Sequence, residues 1–189
     1  MGLKIMVKNK NSIGSLALSV FKFELMGKFF AAAITITVLG IASAIHKSGF
    51  FLNQIFVCLV YFPSFYGVLW KAGNSAPDSK IDRWKGLKVG LLASVPYFLS
   101  TVVLIILKIL QSEVSVFWYR ILNIQYLSIL NTIFSAGNNI TQITWFSILI
   151  CIALQFVIPL VSQLSYTIGY HHFSISEHIM YKNISNQRK

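Results

Sequence analysis

The chain has 189 residues, of which 56% are hydrophobic and 11% charged, with a formal net charge of +11. A soluble domain carries about 25% charged residues, so this composition excludes an ordinary water-facing globule, a disordered chain and a disulfide-stapled secreted domain. It points to an all-α integral membrane helical bundle. The expected architecture is about four transmembrane helices, an N-terminal amphipathic helix and an outer interfacial or re-entrant helix.

Residues 1–28 are mixed and carry Lys4, Lys8, Lys10, Lys22 and Lys28. From Ser12 to Lys28 apolar residues recur at helical intervals (Ile13, Leu16, Leu18, Val20, Phe21, Phe23, Leu25). The spacing predicts a cytoplasmic amphipathic helix, either lying on anionic headgroups or packed on the rest of the protein. Phe29 to Ile45 is an uncharged run of 17 residues, short but sufficient for a first span. Ala42-Ser43-Ala44 has the small-residue form of a signal-peptidase site, but the long basic region before it and the spans after it argue against cleavage.

After the turn His46–Gly49, the 21 residues Phe50–Trp70 form the second expected span. Lys71 to Lys88 reads as a loop rich in turn residues and basic charge. Val89 to Leu107 is the third span. The stretch 114–136 is apolar overall but places Arg120, Asn123 and Asn131 near one helical face, which favours a helix in the interface, or one partly inserted, over a full span. Gly137-Asn138-Asn139 is a break, and Ile143 to about Tyr166 is the fourth span. The chain therefore divides into an N-terminal segment (1–28), a transmembrane bundle (29–166) and a basic tail (167–189).

Four spans with both ends cytoplasmic put thirteen basic residues inside and three outside, a strong positive-inside bias. The basic residues lie in short segments between apolar runs, which is the pattern of membrane insertion and not of nucleic-acid binding. All five acids, Glu24, Asp78, Asp82, Glu113 and Glu177, fall outside the strong apolar runs. No ionisable group is therefore expected within the membrane.

Each expected span carries a stripe of small or polar residues, the kind of surface on which membrane helices associate. The stripes are Ala33-Thr37-Gly40-Ala44, then Asn53-Ser64-Gly67-Lys71, then Gly86-Gly90-Ser94-Tyr97-Thr101-Lys108. The fourth runs through Thr144, Ser147, Cys151, Gln155, Ser162, Ser165 and Gly169. These are either packing faces or, for the third and fourth, the walls of a polar path. The candidate binding residues are Gln155, Ser94, Tyr97, Thr101 and Cys151. Gln155 is either a ligand contact or a hydrogen-bond clasp between helices. Pro63, Pro96 and Pro159 place one helix-breaking residue in each of the last three spans.

Catalytic signatures are not found. Cys58 and Cys151 read as small buried hydrophobes with no metal spacing. The densest polar set, His171, His172, Glu177 and His178, does not converge on one helix face, so neither a metal nor another cofactor is expected. Two Asn-X-Ser/Thr sequons, at Asn139 and Asn183, read as chance matches.

Two segments carry a resemblance. Arg83-Trp84-Lys85-Gly86-Leu87-Lys88-Val89-Gly90-Leu91-Leu92-Ala93-Ser94-Val95-Pro96 resembles the loop-to-span junction of small integral membrane proteins of Gram-positive bacteria. Leu164–Tyr170, with Ile175-Ser176-Glu177 and Tyr181-Lys182, resembles their C-terminal end. The resemblance implies a bacterial plasma membrane and attaches no activity. Size and basic helical make-up are also similar to the substrate-binding subunits of vitamin transporters, which have six spans where four are counted here. The expected function is a non-enzymatic accessory or structural subunit of a larger membrane assembly, with the lipid bilayer and a membrane-protein partner or a second copy as its contacts. The alternative is a small transporter or solute-binding subunit with a site between the third and fourth spans.

Overall fold

The computed structural model describes residues 12–44, 50–76, 82–134 and 139–171. Within them the protein is all-helical. The signal-peptidase-like site falls at the end of a helix, while the 46–49 turn, most of the 137–139 break and the tail beyond His171 lie outside the described residues, with His172, Glu177, His178, Asn183 and Gln187.

The helices are α1 (Ile13–Ala44), α2 (Phe50–Asn74), α3 (Lys85–Ala93), α4 (Val95–Ile109), α5 (Phe117–Leu122), α6 (Leu127–Ile133), α7 (Trp145–Gln155) and α8 (Val157–Tyr170). Three segments are long and apolar enough to cross a membrane: Ile13–Ile41, Phe51–Asn74 and Trp145–Tyr170. A fourth is available if α3 and α4, bent by 53° at Ser94, count as one span. Outward-facing side chains include Phe29, Phe30, Ile36, Phe51, Leu59, Leu99, Phe146 and Leu160. So wide an apolar exterior suits hydrocarbon and not water.

The first helix differs from the sequence-based expectation. No boundary falls at Lys28: α1 runs unbroken for 32 residues. Its buried face is Leu16, Ala17, Val20, Glu24, Lys28, Ala31 and Thr35, a 3-and-4 spacing that continues straight through the expected junction. The expected stripe Ala33-Thr37-Gly40 faces outward instead. In α2 only Asn53 of the expected stripe is fully buried, Gly67 and Lys71 being exposed; the packed face is Asn53, Val57, Tyr61, Phe65 and Leu69.

The third and fourth stripes are buried except at one end each, where Lys108 is half-buried and Thr144 exposed. Gly86, Gly90, Ser94, Tyr97 and Thr101 are buried, as are Ser147, Cys151, Gln155, Ser162, Ser165 and Gly169. Small residues let these backbones approach closely. A Cβ on Gly90 would lie 2.7 Å from Pro159 Cα and 2.7 Å from Ser162 Cβ, and Gly73 and Gly169 pack face to face with Tyr166 and Trp70 backbone atoms.

The α3–α4 pair is bent at Ser94, while Trp145–Tyr170 runs on as one span with a one-residue irregularity at Phe156. Pro96 and Pro159 lack the N–H that would bond to Leu92 and Gln155, and each follows the bend or irregularity by two or three residues. Pro63 sits inside α2 without ending it. The bend and the irregularity divide the core in two. Halves α3 and α8 pack with α1 and α2 around Val20, Tyr61, Phe65, Leu69, Val89 and Tyr166. Halves α4 and α7 pack with the 116–143 segment around Leu104, Tyr119, Leu130, Phe134, Ile148 and Cys151.

That segment is no single interfacial helix. It is a hairpin of short helices that descends beside α4, turns at Asn123 and climbs past the start of α2. Its ends meet where Ser115 pairs with Asn139 and Ile140 N–H donates to Val114. On the way down Tyr119 reaches Thr101; on the way up Ser128 meets Asn53, and Ser147 Oγ donates to Ile133 O. Thr101 lies eight residues from the end of α4, about 12 Å at 1.5 Å per residue, whereas Asn53 and Ser147 sit within a turn of their helix ends. The tip is thus the part of the segment farthest from the end of α4.

Candidate functional site

Two polar clusters meet at the hairpin tip. The first is built by α1, α2 and α4. Glu24 and Lys28 lie one turn apart on the buried face of α1, Glu24 at 0% exposure. They stand eleven and fifteen residues beyond Ile13, about 16 and 22 Å along a segment of about 43 Å. Both residues therefore lie inside a helix long and apolar enough to cross a membrane, where the sequence reading expects no charge. The hydropathy boundary at Lys28 had assigned both residues to a surface helix.

Tyr61 donates its hydroxyl to Glu24 Oε1 at 2.6 Å, and Glu24 Oε2 has no hydrogen-bond partner among the described residues. Lys28 does not bond to that carboxylate. Its Nζ donates to Leu122 O at 2.5 Å and stands 3.5 Å above the centre of the Tyr97 ring. The one ion pair among the described residues is elsewhere: Lys88 Nζ of α3 to Asp82 Oδ2 of the preceding loop at 2.8 Å, where it holds the Asp82 carboxyl below the usual carboxylate range.

The second cluster joins α4, α5 and α7. Gln155 Nε2 donates to Tyr119 Oη at 3.1 Å and to Asn123 Oδ1 at 3.3 Å. Tyr119 and Thr101 hydroxyls are 3.0 Å apart, and Thr101 Oγ1 is 3.1 Å from Tyr97 O. A hydroxyl has one proton. Since Tyr97 O can only accept, Thr101 donates to it, so Tyr119 donates to Thr101 and accepts from Gln155. The chain of donors runs Gln155 → Tyr119 → Thr101 → Tyr97 O. Asn123 Nδ2 donates to Tyr119 O at 3.1 Å and leans on Ser100 Oγ at 3.4 Å. Because Leu122 O receives Lys28 and Asn123 receives Gln155, two adjacent residues tie the clusters together.

Of the residues expected from sequence, Gln155 and Thr101 meet through Tyr119, and Cys151 is buried beside the same hydroxyl. Tyr97 is drawn to the other cluster by Lys28. Ser94 stands apart at the α3–α4 break with its buried Oγ unpartnered. The residues missed were Glu24, Lys28, Tyr61, Tyr119 and Asn123. The signal for the first two was present in their i, i+4 spacing within one continuous stripe.

A groove of about 370 Å³ opens beside Lys28, walled by Phe21, Leu25 and Phe29 of α1, Pro96 of α4, and Ile121 and Leu122 of the hairpin. A second cavity of about 640 Å³ lies at the Tyr170 end of the bundle, among Arg83, Trp84, Gln163, Tyr166 and Tyr170. Among the described residues no group of three His, Cys, Asp or Glu side chains converges as metal ligands would. Comparison with known protein families, with curated proteins and with solved structures finds no match to the chain.

Proposed function

We propose that this protein is a small multi-pass transporter or solute-binding subunit of a bacterial plasma membrane, working through the polar clusters at mid-depth. Its four spans are α1, α2, α3 with α4, and α7 with α8, both ends are cytoplasmic, and the α5–α6 hairpin re-enters the bilayer from outside. Three features support the topology: the length of the helices, the basic residues Lys71, Arg83, Lys85 and Lys88 at one end, and the rule that irregular backbone at membrane depth is tolerated only where protein buries it.

The observation that carries the functional reading is Glu24, fully buried with one carboxylate oxygen unpartnered. Ionisable groups within membrane helices cost roughly 2.5–3.5 kcal/mol on insertion scales and mark substrate or ion pathways. The 53° bend between α3 and α4 is a further feature of the kind found at transporter binding sites. Native mass spectrometry of the protein purified from its own membrane in mild detergent tests this. We expect the chain with a bound small molecule that Glu24→Gln loses. A stoichiometric protein partner and no small molecule would contradict it.

That contrary outcome corresponds to a second reading, an accessory or structural subunit, favoured by one observation. Ala33, Thr37 and Gly40 form an outward small-residue stripe, and nothing lies within 4 Å of a Cβ built on Gly40. A partner helix or a second copy fits such a face.

A further inference from the structure

We propose that the groove beside Lys28 binds a long-chain monocarboxylic acid that enters sideways from the bilayer. This rests on the reading of α1 as a membrane span and goes further by naming the class of ligand. The walls are apolar, and their rims, Leu25 at 46% and Phe29 at 72% exposure, belong to the outward surface that meets lipid. Its volume falls within the range of about 300–1,000 Å³ typical of small-ligand sites. An alkyl chain lies against these walls with no polar group to desolvate.

The floor selects the head. Lys28 and Tyr97 both line the groove. The Lys28 ammonium has three protons; it donates to a backbone carbonyl, stands over an aromatic face, and feels the Glu24 carboxylate one turn away without a hydrogen bond to it. An ammonium so deep in hydrocarbon is complemented by an anion. Depth then discriminates among anionic lipids. A phosphodiester headgroup stays at the interface, whereas a carboxylic acid crosses hydrocarbon in its neutral form. On arrival its O–H bond breaks and the proton passes to the Glu24 carboxylate, one turn away, whose Oε2 is unpartnered. The bound carboxylate then faces the Lys28 ammonium. One O–H is lost and one gained, and no net charge enters the membrane.

The full-length protein in phosphatidylcholine nanodiscs is labelled with a diazirine-bearing palmitic acid, and the adducts are mapped by mass spectrometry. Adducts are expected on residues 21–32 and 121–124. Palmitate is expected to compete at least about tenfold better than hexadecanol, as one charge-assisted contact warrants. Lys28→Met is expected to abolish that preference. Ala32→Phe, which fills the groove and leaves Lys28 in place, is expected to remove the labelling even where Lys28→Met does not fold. Equal competition by acid and alcohol, adducts confined to other helices, or an acid preference that survives Lys28→Met in a folded protein would each overturn the proposal. Failure of the membrane-span reading shows separately, as reaction of a water-soluble thiol reagent with Phe29→Cys.

Discussion

Tyr61 and Glu24 join the first two helices through a hydrogen bond of 2.6 Å with both groups buried. The bond places a carboxylate where hydropathy alone puts none, and it fixes the register of α1 against α2. Gly27 allows the approach, since a Cβ there would lie 2.6 Å from Ser64 Oγ. A double-mutant cycle on thermal unfolding in detergent, with Tyr61→Phe and Glu24→Gln, should give a coupling of about 0.6–1.7 kcal/mol, the span measured for polar contacts between membrane helices. Additive effects would show that the two side chains do not interact.

Lys28 is held by the face of Tyr97, not its hydroxyl. Tyr97→Phe removes only the hydroxyl, which interacts with Glu24, while Tyr97→Leu should lose about 1–2 kcal/mol more as the desolvated cation loses its ring. Equal effects of the two substitutions would remove the cation–ring contact from the account.

The glycines divide into packed and open. Gly90→Ala forces a Cβ into Pro159 and Ser162, and we expect about 1–3 kcal/mol of destabilisation. Gly40→Ala meets nothing in the monomer and should stabilise α1 by about 0.5–1 kcal/mol through backbone entropy. Paired melting curves decide. A destabilised Gly40→Ala would instead point to a partner helix on that face.

Gln111 ends α4 with φ 50°, a left-handed conformation that favours glycine. The backbone closes around it with Gln111 N–H donating to Lys108 O and Ser112 N–H to Leu107 O. Gln111→Gly should raise stability by about 1 kcal/mol. A lowered melting temperature would contradict this geometry.

Much of this was legible in the sequence, and unevenly. The last two spans are apolar throughout, so small and polar residues stand out against them, and Gly86, Gly90, Thr101, Ser147 and Gln155 are buried as their spacing implies. In α1 the polar residues on the buried face are themselves charged. Glu24 and Lys28 depress hydropathy and make the first half of one long helix with a continuous buried face resemble a surface helix. Only the unbroken 3-and-4 series from Leu16 to Thr35 exposes the continuity. The hairpin was harder still. Its turn at Asn123 and its placement depend on Lys28, Gln155 and Asn53, whose contacts span 32 to 94 residues of sequence, and no local pattern encodes those partners.

The central claim is that the hairpin tip meets Lys28 and Gln155 inside the bilayer. A spin label at Leu122→Cys, with Cys58 and Cys151 replaced, reports its depth in reconstituted membranes through the relative access of oxygen and a water-soluble nickel chelate. Labels at Leu99→Cys and Gln111→Cys supply the deep and shallow references. The account predicts that the label at 122 resembles the one at 99, rich in oxygen contact and shielded from nickel. A label at 122 as open to nickel as the one at 111 would place the tip at the surface and contradict the account.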